Sequence, residues 1–352
     1  MAVQSGLKKV RNLLLIFVLS SGISAFFFVR DGIPGLSMSQ EDLFRRMGGK
    51  VVLKIDEKYH WLASDLESIV VDLQHADLMI VSSESSEIDL RYIGQVWLKE
   101  ELSGSIPFQS AYSEGRLRCS SSWGHDLVGS DVLLELSLPS HLLSSVQLNV
   151  HGDVSWDGGS AQYFETRGSS GDLSLRNFMA EEALLERSSG DMNLQRVQGR
   201  SWEAQMSSGD FTAFDMVLSE QLDITSYSGD INVESGETKT LLMNGKSGDV
   251  HIDMVSDYLE LYATSGDVHA QLDSFPLQLK AMVKTGDVSI DLPNDTGFTL
   301  QVQTKTGDFH LPFSMEKAPG ATDNEFIATV NGGGASKVFL STASGDVSIN
   351  TL

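Results

Sequence analysis

The chain has 352 residues, with 48 Asp or Glu against 25 Lys or Arg, for a formal charge of −23. A field of that sign excludes nucleic acid as a partner, and a single cysteine, Cys119, excludes both an intrachain disulfide framework and a cysteine zinc cluster. Glycine is abundant at 32 residues, proline is scarce at 7 and 41% of the chain is hydrophobic, so a folded chain of regular segments joined by tight turns is expected.

In chain order, Lys8, Lys9 and Arg11 precede an uncharged run from Leu13 to Val29, about 26 Å long as a helix. The charge bias predicts a transmembrane signal anchor over residues 1–30, with the cytoplasmic tip first and everything from residue 31 outside the cytoplasmic membrane, periplasmic or at the cell surface. The alternative is a cleaved signal peptide cut near Ser20, Gly22 or Ala25. The apolar FFFV that continues past those small residues favours the anchor. No cysteine follows the run, so a lipoprotein anchor is excluded. Residues 31–64 read as a juxtamembrane segment, in which Ser39–Met47 has a Ser cap and early acids that predict a short helix over the first coil.

Residues 65–150 show the alternation of half-buried strands in Ser68–Gly94 and again from Asp131, with an irregular stretch, Glu100–Gly129, between them. They read as degenerate N-terminal coils of the repeat that follows. Asp77 lies 76 residues, four periods, before Asp153.

From residue 151 to 352 the chain repeats itself. Gly-Asp recurs with its Asp at Asp153, Asp172, Asp191, Asp210, Asp230, Asp249, Asp267, Asp287, Asp308 and Asp346, 18 to 21 residues apart except for a last spacing of 38. From the second copy each glycine, Gly171, Gly190, Gly209, Gly229, Gly248, Gly266, Gly286, Gly307 and Gly345, follows Ser or Thr and is expected to turn the chain. Apolar or small residues one and three after each Asp, and mostly apolar ones eight and six before it, put a strand with one buried face on either side of the turn. The column four before the Asp is small in most copies, as at Gly168, Ser226, Gly245 and Ala263. A unit this short cannot bury its apolar columns alone, but stacked on copies of itself it forms a continuous core. The predicted fold is all-β, a parallel β-solenoid (a single-stranded β-helix) of about 19 residues per coil, behind an N-terminal transmembrane helix. Ten to fourteen coils would make a rod on the order of 50–65 Å long. The doubled spacing between Asp308 and Asp346 reads as two periods with one turn replaced, where Asn331-Gly332-Gly333-Gly334 intrudes. The chain would then end on a C-terminal coil without a cap.

This Ser/Thr-Gly-Asp repeat, behind an anchor and a region like Ser68–Gly94, resembles the bacterial putative-adhesin family of β-strand repeat proteins, a domain of unknown function. The resemblance covers residues 65–352. It implies a non-enzymatic β-solenoid of the cell envelope with a role in adhesion or surface interaction, and it supplies no catalytic or ligand residues.

Stacked corners would line up Asp172, Asp191, Asp210, Asp230, Asp249, Asp267, Asp287 and Asp308 at roughly 5 Å, where like charges need compensation. The leading expectation is that each carboxylate accepts backbone N–H groups of its own turn. The alternative is a row of weak calcium sites; no other cofactor is expected. His251, His269 and His310 share an outward column, without a third ligand type to complete a metal site. Outward acids Glu203, Asp223 and Glu260 could do glycosidic acid–base work, but Leu184, Leu242 and Lys280 share their column, as on a solvated face. Asn244-Gly245-Lys246-Ser247 ends like a phosphate loop but has Thr240 where the first glycine is required. Cys119, without a partner, reads as a packed thiol.

The leading function is a membrane-anchored envelope protein whose rigid acidic surface binds an envelope protein or polysaccharide. The alternatives are a scaffold that self-assembles into homo-oligomers through its uncapped last coil, and an enzyme acting on envelope polysaccharide.

Overall fold

The computed structural model describes residues 47–102, 104–293, 297–311 and 324–352. The expected anchor Leu13–Val29, nearly all of the expected helix Ser39–Met47 and the stretch 312–323 lie outside the described residues. Among the described residues all regular structure is β, and no helix is long and apolar enough to cross a membrane.

The strands are β1 (Val51–Leu62), β2 (Ser68–Gln74), β3 (Asp77–Ser83), β4 (Glu87–Leu98), β5 (Phe108–Ser113), β6 (Arg116–Ser121), β7 (Leu127–Pro139), β8 (Leu143–His151), β9 (Val154–Asp157), β10 (Ser160–Gly168), β11 (Leu173–Arg176) and β12 (Met179–Arg187). They continue with β13 (Met192–Met206), β14 (Phe211–Ser226), β15 (Ile231–Ser247), β16 (Val250–Ser265), β17 (Val268–Gln271), β18 (Gln278–Thr285), β19 (Val288–Leu292), β20 (Phe298–Thr306), β21 (Phe309–His310), β22 (Glu325–Val330), β23 (Ser336–Ser344) and β24 (Val347–Thr351).

The chain forms two compact units. The smaller comprises residues up to Ile55 with Gly94–Ile106 and Trp123–Val132. It buries Ile55, Val96, Trp97, Trp123 and Val132, and its backbone closes through Lys50 N–H to Leu98 O and Lys99 N–H to Asp126 O.

The larger unit, Asp56–Ile93, Pro107–Ser122 and Leu133–Leu352, is a stack of parallel coils. Each coil lays one strand before its corner and one after it onto the same strands of its neighbours: Leu173 sits on Val154 and under Met192, and Leu175 on Trp156 and under Leu194. Side chains alternate, so these residues fill the inside and Ser174 and Arg176 face out. Each fully buried aliphatic or aromatic side chain contributes about 1.5–3 kcal/mol, and the columns extend through every level. Around Phe178 three aromatic rings converge, with Trp156 and Phe164 at centroid distances of 5.0 and 4.7 Å and Trp202 at 6.4 Å.

The corner requires glycine. Gly209 has φ +113°, and a Cβ there would lie 2.1 Å from the carbonyl oxygen of Gly190, one coil away. Five residues after the corner Asp a second bend uses left-handed residues, Asn177, Arg196, Asp215 and Ser235, which turn the chain onto its next face.

Stacking order departs from chain order at both ends. β2 and β3 pair directly with β8 and β9, Ser68 opposite Ser145 and Leu78 opposite Val154. The four periods between Asp77 and Asp153 therefore span one level, not four. Of the residues between them, Arg116–Ser121 of β6 and Leu133–Pro139 of β7 lie on the far side of β2 and β3, and β5 runs antiparallel along β6. At the other end β23 and β24 slot between β18/β19 and β20/β21. The doubled spacing before Asp346 is thus a detour, and the last coil in the sequence is an inner one.

The expectation of an uncapped C-terminal coil is corrected by this order. Both edges of β23 are occupied, and β20, the next level out, is covered by antiparallel β22. Antiparallel strands β5 and β22 thus cover the edges of β6 and β20.

Candidate functional site

Along the stack the corner aspartates form one row in the order Asp77, Asp153, Asp172, Asp191, Asp210, Asp230, Asp249, Asp267, Asp287, Asp346, Asp308. Each Oδ1 accepts the backbone N–H of the next Asp, at 2.7–2.9 Å in all ten steps. The partner is therefore the neighbouring coil's turn and not the carboxylate's own, which corrects the expected local turn bond. The cause is the bend itself. On the strand side the corner keeps its ladder, as where Leu173 N–H donates to Asp191 O. The Asp N–H is supplied with an acceptor by the carboxylate one level away. This bond engages Oδ1 of every carboxylate in the row except Asp308, the last, and leaves their Oδ2 atoms for any calcium. His310 Nε2 lies 3.6 Å from one of these, Asp346 Oδ2.

Arg187 is a residue that sequence reasoning missed. It occupies the inward column four before Asp191, only 2% exposed, and donates from Nη1 to Val150 O at 3.0 Å and from Nη2 to Thr166 Oγ1 at 3.3 Å. Burial pushes its pKa down to about 10, opposed by Asp153 and Asp172. Its guanidinium takes the space in front of Gly168, where a Cβ would fall 1.5 Å from Nη1. The available signal was a cation in a column of small and apolar residues, with glycine at the matching place one copy earlier.

The outward columns carry the chemistry that could meet a ligand. Glu203 and Asp223 are direct neighbours, but Leu242 separates Asp223 from Glu260, so the three acids do not form one cluster. Asp223 has a raised pKa, first from partial burial and then from Glu203. His251 and His269 stack with centroids 5.1 Å apart, and His269 Nε2 lies 3.6 Å from Asp291; His310 is on a different level near Asp346. Among the described residues the cluster of metal-ligating types within mutual reach is instead His60, Glu87 and Asp89. It is an exposed ion-pair group: His60 Nδ1 is 2.8 Å from Asp89 Oδ1, and that hydrogen bond raises the histidine pKa. It borders a groove of about 660 Å³ with Met79, Val81 and Arg91. Cys119 is buried in β6, and burial pushes its thiol up to about 12, which makes it a packing residue.

A second groove, of about 560 Å³, runs along the corner side of the later coils, with Asn244, Tyr262, Lys284, Ser341, Gln303 and Lys305 in its walls. Tyr262 donates its hydroxyl to Glu260 at 3.0 Å and is in contact with Lys280 Nζ. Lys246 lies 3.8 Å above the ring centre of Tyr227. Asn244 to Ser247 thus line an open corner and do not precede a helix, which removes the phosphate-loop context.

These features define an all-β protein of stacked repeats whose identical corners build a scaffold and whose outward columns vary. The family model described as Toastrack DUF4097 matches residues 130–234 and 212–350, and the chain belongs to that family. No curated protein matches it. Among solved structures it is similar to a putative cell adhesion protein from Clostridium sporogenes at 10% identity, over 85% of this chain and 100% of that one, with a TM-score of 0.20. A putative lipid binding protein from Parabacteroides distasonis is 14% identical over 83% of this chain and 96% of its own, TM-score 0.42. A putative adhesin from Bacteroides fragilis is 11% identical over 87% and 99%, TM-score 0.29. Scores this low carry no argument about function.

Proposed function

We propose that the chain is a non-enzymatic β-solenoid of the cell envelope, anchored in the cytoplasmic membrane by Leu13–Val29, that holds an acidic extracytoplasmic surface for binding an envelope component. The observation that carries this reading is the contrast between its columns. Inward positions and corners repeat, while the outward column Glu165, Leu184, Glu203, Asp223, Leu242, Glu260 and Lys280 changes at almost every level. A scaffold fixed inside and free outside suits recognition. Glu203 and Asp223 on an open face lack the enclosure that glycosidic acid–base catalysis uses.

The test is made on the full chain in a bacterial host. It should stay with membranes through alkaline extraction and be cut by protease added outside spheroplasts, and it should release no new reducing ends from envelope polysaccharide. Extraction into the soluble fraction removes the anchor. Release of reducing ends makes the protein an enzyme.

A further inference from the structure

The residue three before each corner Asp forms a column of its own. It immediately precedes the aligned Ser247, Ser265, Thr285, Ser344 and Thr306. In stacking order it reads Lys246, Thr264, Lys284, Ala343, Lys305. In chain order Lys284 and Lys305 would sit on successive levels. The insertion of β23 between β18 and β20 places Ala343 between them, so the lysines stand on every second level, roughly 10 Å apart. All three are exposed, and no ion pair among the described residues joins them to an acid. In a chain of charge −23 this is an isolated cationic row.

The groove beside the row has polar walls. It offers the half-exposed ring of Tyr262, over one face of which Lys280 Nζ lies 4.9 Å from the centroid, the exposed amide of Asn244 and the hydroxyl of Ser341, groups that stack on sugar faces and hydrogen-bond to hydroxyls. Glu325, the acid in its wall, accepts from Gln301 and Gln303 at 3.0 Å through a single oxygen. The corner aspartates three residues further on are hydrogen-bonded to backbone N–H groups.

We propose that the groove walled by Lys284, Lys305 and Tyr262, with Lys246 continuing the lysine column beyond it over the Tyr227 ring, binds a linear acidic polysaccharide that bears a carboxylate on alternate sugars. The period selects this occupant. Two levels match about one disaccharide of an extended chain, so each lysine meets one carboxylate while the sugar between them lies on the polar wall. The inference rests on the binding role proposed above and adds its ligand class and place.

The probes are an octasaccharide alternating glucuronate with N-acetylglucosamine, its neutral chitin counterpart, an oligogalacturonate charged on every sugar, and inorganic polyphosphate. Each is titrated against the full chain in detergent by calorimetry. The alternating octasaccharide should bind tightest. Lys284→Gln and Lys305→Gln should each weaken it about two- to fivefold, the range of an exposed charge contact, and flatten its salt dependence, with thermal unfolding unchanged. Tyr262→Phe, which keeps the ring, should bind nearly as the parent, and Tyr262→Leu should bind less. Equal binding of chitin, equal or tighter binding of polyphosphate or oligogalacturonate, or indifference to the lysine changes would overturn the proposal. If no probe binds while the chain remains anchored and protease-accessible outside, this groove is refuted and the envelope reading stands. A chain that is not extracytoplasmic refutes that reading, whatever the titrations give.

Discussion

Asp210 shows what a single residue contributes. Its carboxylate supplies the acceptor that Asp230 N–H needs, at 2.8 Å. Asp210→Ala should therefore cost about 0.5–1.5 kcal/mol, the net worth of a bond whose donor water can reach. Asp210→Asn keeps an acceptor oxygen and removes a charge from a crowded row, and should stay close to the parent; urea unfolding of the two variants decides it. Equal losses would mean that the charge and not the bond matters. At Arg187 burial of a cation is a cost that its two hydrogen bonds only reduce, since Nε is buried without an acceptor. Arg187→Met fills the space and should unfold within about 1–2 kcal/mol of the parent, whereas Arg187→Ala should lose about 2–4 kcal/mol to a cavity. The row of aspartates was legible in the sequence because its spacing is regular. The destination of each carboxylate was not, since a period of 19 residues looks the same whether the bond closes on its own turn or on the next one.

At the scale of elements, strands and corners followed from alternation and from Gly-Asp. The inward columns Leu173, Met192, Phe211 and Leu175, Leu194, Ala213 are where the pattern put them. The order in which the coils stack was not legible, because every coil presents the same columns and chemistry to either neighbour. Asp77 pairs with Asp153 across 76 residues, and the evenness of that number concealed a direct contact. Where these coils meet, His75 is solvent-exposed at its edge, and its pKa is lowered from 6.5 first by the desolvation its neighbours impose and then by His151. The unfolded chain thus takes up this proton more readily than the folded one. This contribution to stability is complete above the unfolded value of 6.5 and is lost as pH falls from there through the lower folded value. His75→Asn, which tolerates the φ of 61° at this position, should flatten the decline of the unfolding midpoint between about pH 7 and 5. His60, whose pKa is raised mainly by Asp89, acts in the opposite sense, so the comparison is made with His60 intact.

For the larger unit, the claim that organises the rest is that chain order and stacking order part company. This arrangement buries the last strands, closes the edge of β20 with β22 and sets the lysine row at equal intervals. It is tested by cysteine pairs on outward positions of one column. Ser289 is aligned with Ser348, and Ser348 with His310. Adjacent levels at about 4.8 Å fall within disulfide range, and alternate levels at about 10 Å do not. Cys119, buried and with its thiol at about 12, stays out of the exchange. Under mild oxidation, Ser289→Cys with Ser348→Cys should close a disulfide detectable by peptide mass, and Ser289→Cys with His310→Cys should not. A bond in the second pair and none in the first would return the coils to chain order and contradict the account.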